Sequence, residues 1–225
     1  MRHSVGMWPS TLLLAMAMAT AMPTAHGFLA LGDSYTIGEG VPEGGRWPVQ
    51  LAERMRAQGI AIQNPQIIAR TGWTTDELSA AMGEASLHPP YDLVTLLIGV
   101  NNQYRGRPLE EYRVQFRALL TRAIALAGGN AQYVIVISIP DWGVTPFALG
   151  EGRDPQQVAA QMDAFNAVAR AEADAQHTRF VDITGISRAP DTRGLLAVDG
   201  LHPSGAQYAR WVDAIAPIAQ AALQR

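Results

Sequence analysis

The chain has 225 residues, 48% of them hydrophobic and 16% charged, with a formal net charge of −3. That is enough to bury a sizeable core and to build a site from distant segments, and the mild acidity offers no electrostatic footprint for nucleic acid. All 17 basic residues are arginine and there is no cysteine, which excludes lysine Schiff bases, the P-loop lysine, disulfides, thiolate nucleophiles and cysteine zinc sites.

Arg2 and His3 precede an apolar run over residues 11–21, too short to span a bilayer easily, and small residues follow. Residues 1–25 therefore read as a secretory signal peptide. This predicts a secreted or periplasmic protein with no stable membrane anchor once the leader is removed. Initiation at Met22, which would leave a cytoplasmic chain, is the alternative. Residues 26–225 read as one domain. Strands are expected at 28–32, 60–69, 93–99, 133–139 and 179–183. Three of them are Val/Ile-rich and too continuous to expose one face, as in a parallel sheet covered on both sides. Helical stripes lie between them. Leu51 and Met55 begin one, and a Thr74–Glu77 capping box opens the next before Leu78 and Met82. Tyr112, Phe116, Leu119, Ala123 and Leu126 mark a third. Val158, Met162, Phe165 and Ala169 follow the Asp154-Pro155 start signal, and Tyr208, Trp211, Val212, Ile215 and Ile218 mark the last. The alternation predicts a three-layer α/β/α sandwich of flavodoxin-like type, with a central parallel sheet of about five strands.

In such sheets sites gather at the carboxyl ends of the strands, and Ser34, Gly72, Asn101, Asp141 and Asp199 all fall just after or not far beyond one. The segment "LALGDSYTIGEG", residues 29–40, is a poor phosphate cradle. Gly44 comes one residue late for a dinucleotide fingerprint, Pro42 interrupts, and Glu39 and Glu43 would repel phosphate. A nucleophilic Ser34 needs a base and oxyanion donors. In "VDGLHPSG", residues 198–205, a carboxylate three residues ahead of His202 can accept the Nδ1–H and leave Nε2 free to take a hydroxyl proton. The competing reading has Asp199 and Ser204 capping the final helix. Asn101 supplies an amide donor after a strand, unless it is a turn or cap residue, and Gly72 supplies an unobstructed backbone N–H.

Together these blocks resemble the SGNH-hydrolase superfamily, the GDSL-type esterases and lipases: Ser34 in "GDSY", Gly72 in "RTGWT", Asn101 in "GVNN", and Asp199 with His202 in "DGLH". The resemblance implies Ser34 as nucleophile, His202 as general base and acid, and Asp199 as its orienting partner. It also implies an oxyanion hole of the Ser34 and Gly72 N–H groups and the Asn101 side chain. It needs no cofactor and no metal. Two positions depart from the pattern: Tyr35 stands where the family has leucine, and Asn102 where it usually has aspartate. Asp33 is expected to support the loop through backbone bonds. Trp73, Tyr104, Trp142 and Leu201 are expected near substrate, with Phe147. Arg105 and Arg107 would meet either an anionic headgroup or solvent. The expected substrates are carboxylic esters with short to medium acyl or aryl groups. Lysophospholipids, thioesters and O-acetylated carbohydrates are the alternatives on the same site. An acyltransferase, or a noncatalytic glycan- or lipid-binding domain, remains as a different class.

Overall fold

The computed structural model describes Met1 and residues 25–224, so the body of the expected leader, residues 2–24, lies outside the described residues. Five strands form one all-parallel sheet: β1 (Phe28–Gly32), β2 (Gln66–Ala69), β3 (Leu93–Leu97), β4 (Val134–Ile137) and β5 (Arg179–Val181). Their order is β2-β1-β3-β4-β5, with Leu31 opposite Leu96 and Leu96 opposite Val136 across the centre. Every residue of β1, β3 and β4 is buried, as their nearly continuous apolar sequences, broken only by Thr95 in β3, require.

The helices are α1 (Ser34–Ile37), α2 (Trp47–Ala57), α3 (Thr75–Glu84), α4 (Val100–Tyr104), α5 (Leu109–Leu126), α6 (Pro146–Gly150), α7 (Pro155–Ala175), α8 (Thr184–Ser187) and α9 (Gly205–Leu223). Right-handed crossovers run one way from β1 to β2 and the other way from β2 through β3 and β4 to β5. That puts α2 on one face and α3, α5 and α7 on the other. The observed packing agrees: α2 lies against α9, and α5 against both α3 and α7. The five sequence stripes are the buried faces of α2, α3, α5, α7 and α9, with Leu126 and Ile218 at their partly buried margins. The three-layer sandwich expected from the alternation is the architecture found. Among the described residues no helix is long and apolar enough to cross a membrane.

The second strand is shorter than expected. Its early part makes only an isolated bridge, His26 to Ile62, and pairing resumes at Gln66. Pro65 has no N–H for the ladder and restricts Asn64 before it, which separates the two pieces. The third strand also ends early. Gly99, at φ +130, is the N-cap of α4, and a Cβ there would lie 2.6 Å from the Tyr112 ring. The sheet order reverses direction between β1 and β3, so the crevice beyond their carboxyl ends is the topological switch point.

Candidate active site

Ser34 is the first residue after the β1 turn and opens α1, so its N–H is a helix-start donor that the helix itself cannot use. Gly32 permits the turn: a Cβ there would lie 2.2 Å from Thr36 Oγ1 and 2.5 Å from the Leu97 carbonyl oxygen. Asp33 is the N-cap, and its Oδ1 accepts the Tyr35 N–H at 3.0 Å. Burial pushes the Asp33 carboxyl up to about 7, against the lowering pull of nearby backbone N–H groups, of which that of Tyr35 is hydrogen-bonded to it. Tyr35 is buried, with its ring edge-on to His202 at 5.6 Å and tilted against Trp211 at 6.1 Å. The aromatic at the usual leucine position thus packs directly against the histidine.

His202 sits in a closed loop. Leu196 bridges Pro203, the Ala197 N–H donates to the His202 carbonyl at 2.7 Å, and Gly200 takes φ +66. Asp199 uses both carboxylate oxygens. Oδ1 accepts the N–H groups of Leu201 (2.9 Å) and His202 (3.0 Å), while Oδ2 lies 2.6 Å from His202 Nδ1. Partial burial would raise this carboxyl, but the imidazole and the two backbone N–H groups outweigh it and hold it below the usual range. Ser204, not Asp199, is the N-cap of α9, accepting the Gln207 N–H. The two readings of this segment are thereby separated, and His202 Nε2 is left for other work.

The third component is a tight turn closed by the Trp73 N–H on the Arg70 carbonyl at 3.2 Å. Gly72 occupies its third position at φ +88, where a side chain is disfavoured. Asn101, on α4, donates from Nδ2 to the Trp73 carbonyl at 2.9 Å. The amide has a second N–H, which remains for the cavity. Thr71 donates its hydroxyl to the Glu39 carboxylate, joining this turn to the segment after Ser34. Asn102 accepts the Thr75 N–H at 3.1 Å and donates to Thr75 Oγ1 at 2.7 Å, tying α4 to the start of α3. Thr75 Oγ1 is thereby turned to donate to Gln115. An aspartate could accept the N–H but has nothing to donate, so asparagine here sets the direction of the relay.

These segments line a cavity of about 180 Å³, open to solvent on one side, formed by Ser34, Tyr35, Thr71, Gly72, Val100, Asn101, Tyr104, Trp142, Phe147, Leu201 and His202. Asp199 stands behind His202. Of the residues expected near substrate, Tyr104, Trp142 and Leu201 line the cavity. Trp73 does not; its side chain packs against the core and its carbonyl serves the Asn101 contact. Trp142 is fixed by its Nε1–H on Gln103 Oε1 at 2.9 Å, and its loop by Asp141, which accepts the Gly143 N–H and the Arg188 Nε–H, each at 2.8 Å. Arg105 stays exposed and Arg107 partly so, in line with the expectation of solvent, but neither stands free. Arg107 pairs with Asp76 and Glu111, and Arg105 donates to the Gly72 carbonyl at 2.6 Å and meets Glu77 at 3.4 Å. Residue type alone gave no sign of that carbonyl contact.

A serine, a histidine backed by a carboxylate and amide donors around one cavity are the groups that acyl transfer requires, so fold and site together define an acyl hydrolase. Residues 30–210 match the model of the GDSL-like lipase/acylhydrolase family, and the chain belongs to that family of ester-hydrolysing enzymes. Solved structures with the same fold include TesA (20% identity, TM-score 0.66, covering 88% of this chain and 99% of that one). The psychrotrophic esterase EstA from Pseudoalteromonas sp., in a structure inhibited by monoethylphosphonate, is 16% identical with a TM-score of 0.65, covering 89% and 100%. Axe2, an acetylxylan esterase from Geobacillus stearothermophilus, is 21% identical with a TM-score of 0.65, covering 86% and 94%. No curated protein sequence matches the chain.

Proposed function

We propose that the protein is a serine esterase acting on carboxylic esters with short to medium acyl or aryl groups through an acyl-enzyme on Ser34. Ser34 Oγ attacks the ester carbonyl while His202 Nε2 takes its proton, and Asp199 keeps the other imidazole nitrogen protonated. The negative charge that develops on the carbonyl oxygen is met by the Ser34 and Gly72 N–H groups and the Asn101 amide. The C–O bond breaks, and the alcohol leaves with the proton held by His202. Water, deprotonated by the same imidazole, then releases the acid and restores Ser34.

The observation that carries this reading is one cavity lined by Ser34, His202, Gly72 and Asn101, with Asp199 Oδ2 2.6 Å from His202 Nδ1. The walls favour a small acyl group. At about 180 Å³ and faced by Val100, Tyr104, Trp142, Phe147 and Leu201, the cavity is smaller than a pocket built for a drug-sized ligand, roughly 300–1,000 Å³. O-acetylated carbohydrate is the second reading: an acetyl group fits so small a space, and at its edge the half-exposed Tyr104 ring carries the Arg153 guanidinium 5.1 Å from its centroid, a polar rim for a sugar. The likeness to an acetylxylan esterase points the same way. Longer acyl chains of lysophospholipids or thioesters would have to extend beyond the cavity.

The test is hydrolysis of p-nitrophenyl esters from acetate to palmitate and of acetylated xylan, wild type beside Ser34→Ala, with fluorophosphonate labelling of each. Ser34-dependent turnover and labelling, greatest on short esters, is the expected result. Folded protein with neither turnover nor labelling would point to a binding domain.

A further inference from the structure

We infer that Arg105 is a positioning residue for the oxyanion hole, acting through the carbonyl of Gly72; this rests on the esterase reading above. The Gly72 turn is held at three successive residues by three different side chains. Glu39 accepts the Thr71 hydroxyl, Arg105 Nη2 donates to the Gly72 carbonyl at 2.6 Å, and Asn101 Nδ2 donates to the Trp73 carbonyl at 2.9 Å. Only the Arg105 bond falls on Gly72 itself. The guanidinium also lies over the face where a side chain would stand: beyond the flanking residues, a Cβ built on Gly72 has Arg105 Nη2, at 3.7 Å, as its neighbour within 4 Å among the described residues.

Glycine at φ +88 has no side chain to limit its torsions, so the aim of its N–H depends on what holds the adjoining peptide planes. A short charge-assisted bond to its carbonyl fixes the plane after it, and the Thr71–Glu39 bond holds the residue before it. Arg105 is in turn steadied by Glu77 at 3.4 Å, on the first turn of α3. An oxyanion donor works only when it is aimed in advance, and small misplacements cost rate heavily. Losing Arg105 should therefore lower the rate of the chemical step and leave ester binding little changed.

The experiment compares Arg105→Gln and Arg105→Lys with Arg107→Gln and Ser34→Ala, all checked for folding by circular dichroism and thermal unfolding. Arg107 also ties its segment to the first turn of α3, through Asp76, but does not touch Gly72. It therefore controls for simple anchoring. Arg105→Gln is expected to lower kcat on p-nitrophenyl acetate by about 10- to 100-fold, with KM nearly unchanged. Affinity for a trifluoromethyl ketone should weaken in parallel, and added guanidinium should restore part of the rate. Arg105→Lys should retain more activity than Arg105→Gln, because one ammonium can still reach the carbonyl.

Equal losses in the Arg105 and Arg107 variants, or a loss confined to KM or to thermal stability, would overturn the inference while Ser34→Ala stays inactive. An active Ser34→Ala would instead remove the esterase reading beneath it.

Discussion

Asp199 binds His202 twice: Oδ2 meets the ring nitrogen Nδ1 at 2.6 Å and Oδ1 accepts the backbone N–H at 3.0 Å. The carboxylate that fixes the tautomer thus also builds the turn that presents the ring. Asp199→Asn has a single acceptor for what are now two sets of donors, so it must give up either the Nδ1–H or the backbone bonds. Turnover should fall by up to roughly 10⁴, accompanied by a lower melting temperature. Initial rates on p-nitrophenyl acetate together with thermal unfolding test this. Full activity in Asp199→Asn would mean that another group orients His202.

Asn101 donates one amide N–H to the Trp73 carbonyl, and in the proposed mechanism the other meets the developing oxyanion. Asn101→Ala should lose about 10²–10³ in kcat. Asn101→Asp should lose at least as much, because a carboxylate oxygen would face the Trp73 carbonyl and oppose the charge that develops on the substrate. Single-turnover acylation rates separate this from any effect on product release. A variant acylating at the wild-type rate would withdraw the role.

The parts of the site that lie close together in the sequence were readable there. Asp199 and His202 are three residues apart, and the Gly32-Asp33-Ser34 turn follows directly from the end of an apolar strand. Contacts between segments were not readable. Arg105 to Gly72, Glu39 to Thr71 and Asn102 to Thr75 span 33, 32 and 27 residues, and the partner that a long side chain takes is decided by which loops the sheet order brings together. For the same reason Arg105 read as a headgroup ligand or a solvated charge. The helices α1 and α4, of four and five residues, are too short to show a 3.6-residue period, so Ser34 and Asn101 read as loop residues. The expected second strand, 60–69, is broken at Pro65, which has no N–H to donate to the ladder.

Acyl-chain preference should follow the ring of Phe147. Phe147 lines the cavity beside Trp142, with ring centroids 6.4 Å apart, and is only partly buried, so its removal opens the wall without emptying the core. Each methylene that enters an apolar site contributes about 0.8 kcal/mol. Room for two more should therefore raise kcat/KM for hexanoate relative to butyrate by roughly tenfold in Phe147→Ala. A ratio unchanged from wild type would place the acyl chain elsewhere.

Gly32 is where the backbone has no slack. A Cβ would meet the Leu97 carbonyl oxygen at 2.5 Å, and that oxygen belongs to the central strand β3 and cannot swing away. Gly32→Ala should cost about 3 kcal/mol in urea unfolding, and it should displace Ser34, lowering fluorophosphonate labelling even where the protein remains folded. Native stability and labelling together would show that the β1 turn has room to spare.

Asp33 predicts a pH dependence of stability. In the unfolded chain its carboxyl releases its proton near 3.8, whereas burial holds the proton in the folded chain up to about 7. Between these values the folded state binds more protons than the unfolded one, so this group's contribution to stability falls as pH rises through the window and is constant above it. Asp199 and the other lowered carboxyls have the opposite slope, but their contribution is lost only as pH falls below the ordinary carboxylate range. Asp33→Asn removes the titration and keeps an oxygen to accept the Tyr35 N–H. The melting temperature of Asp33→Asn minus that of wild type should rise steadily from pH 4 to about pH 7 and then level off. A difference that stays flat from pH 4 to 8 would mean that Asp33 is already ionised in the fold throughout, its charge held by the N–H groups of the Ser34 turn.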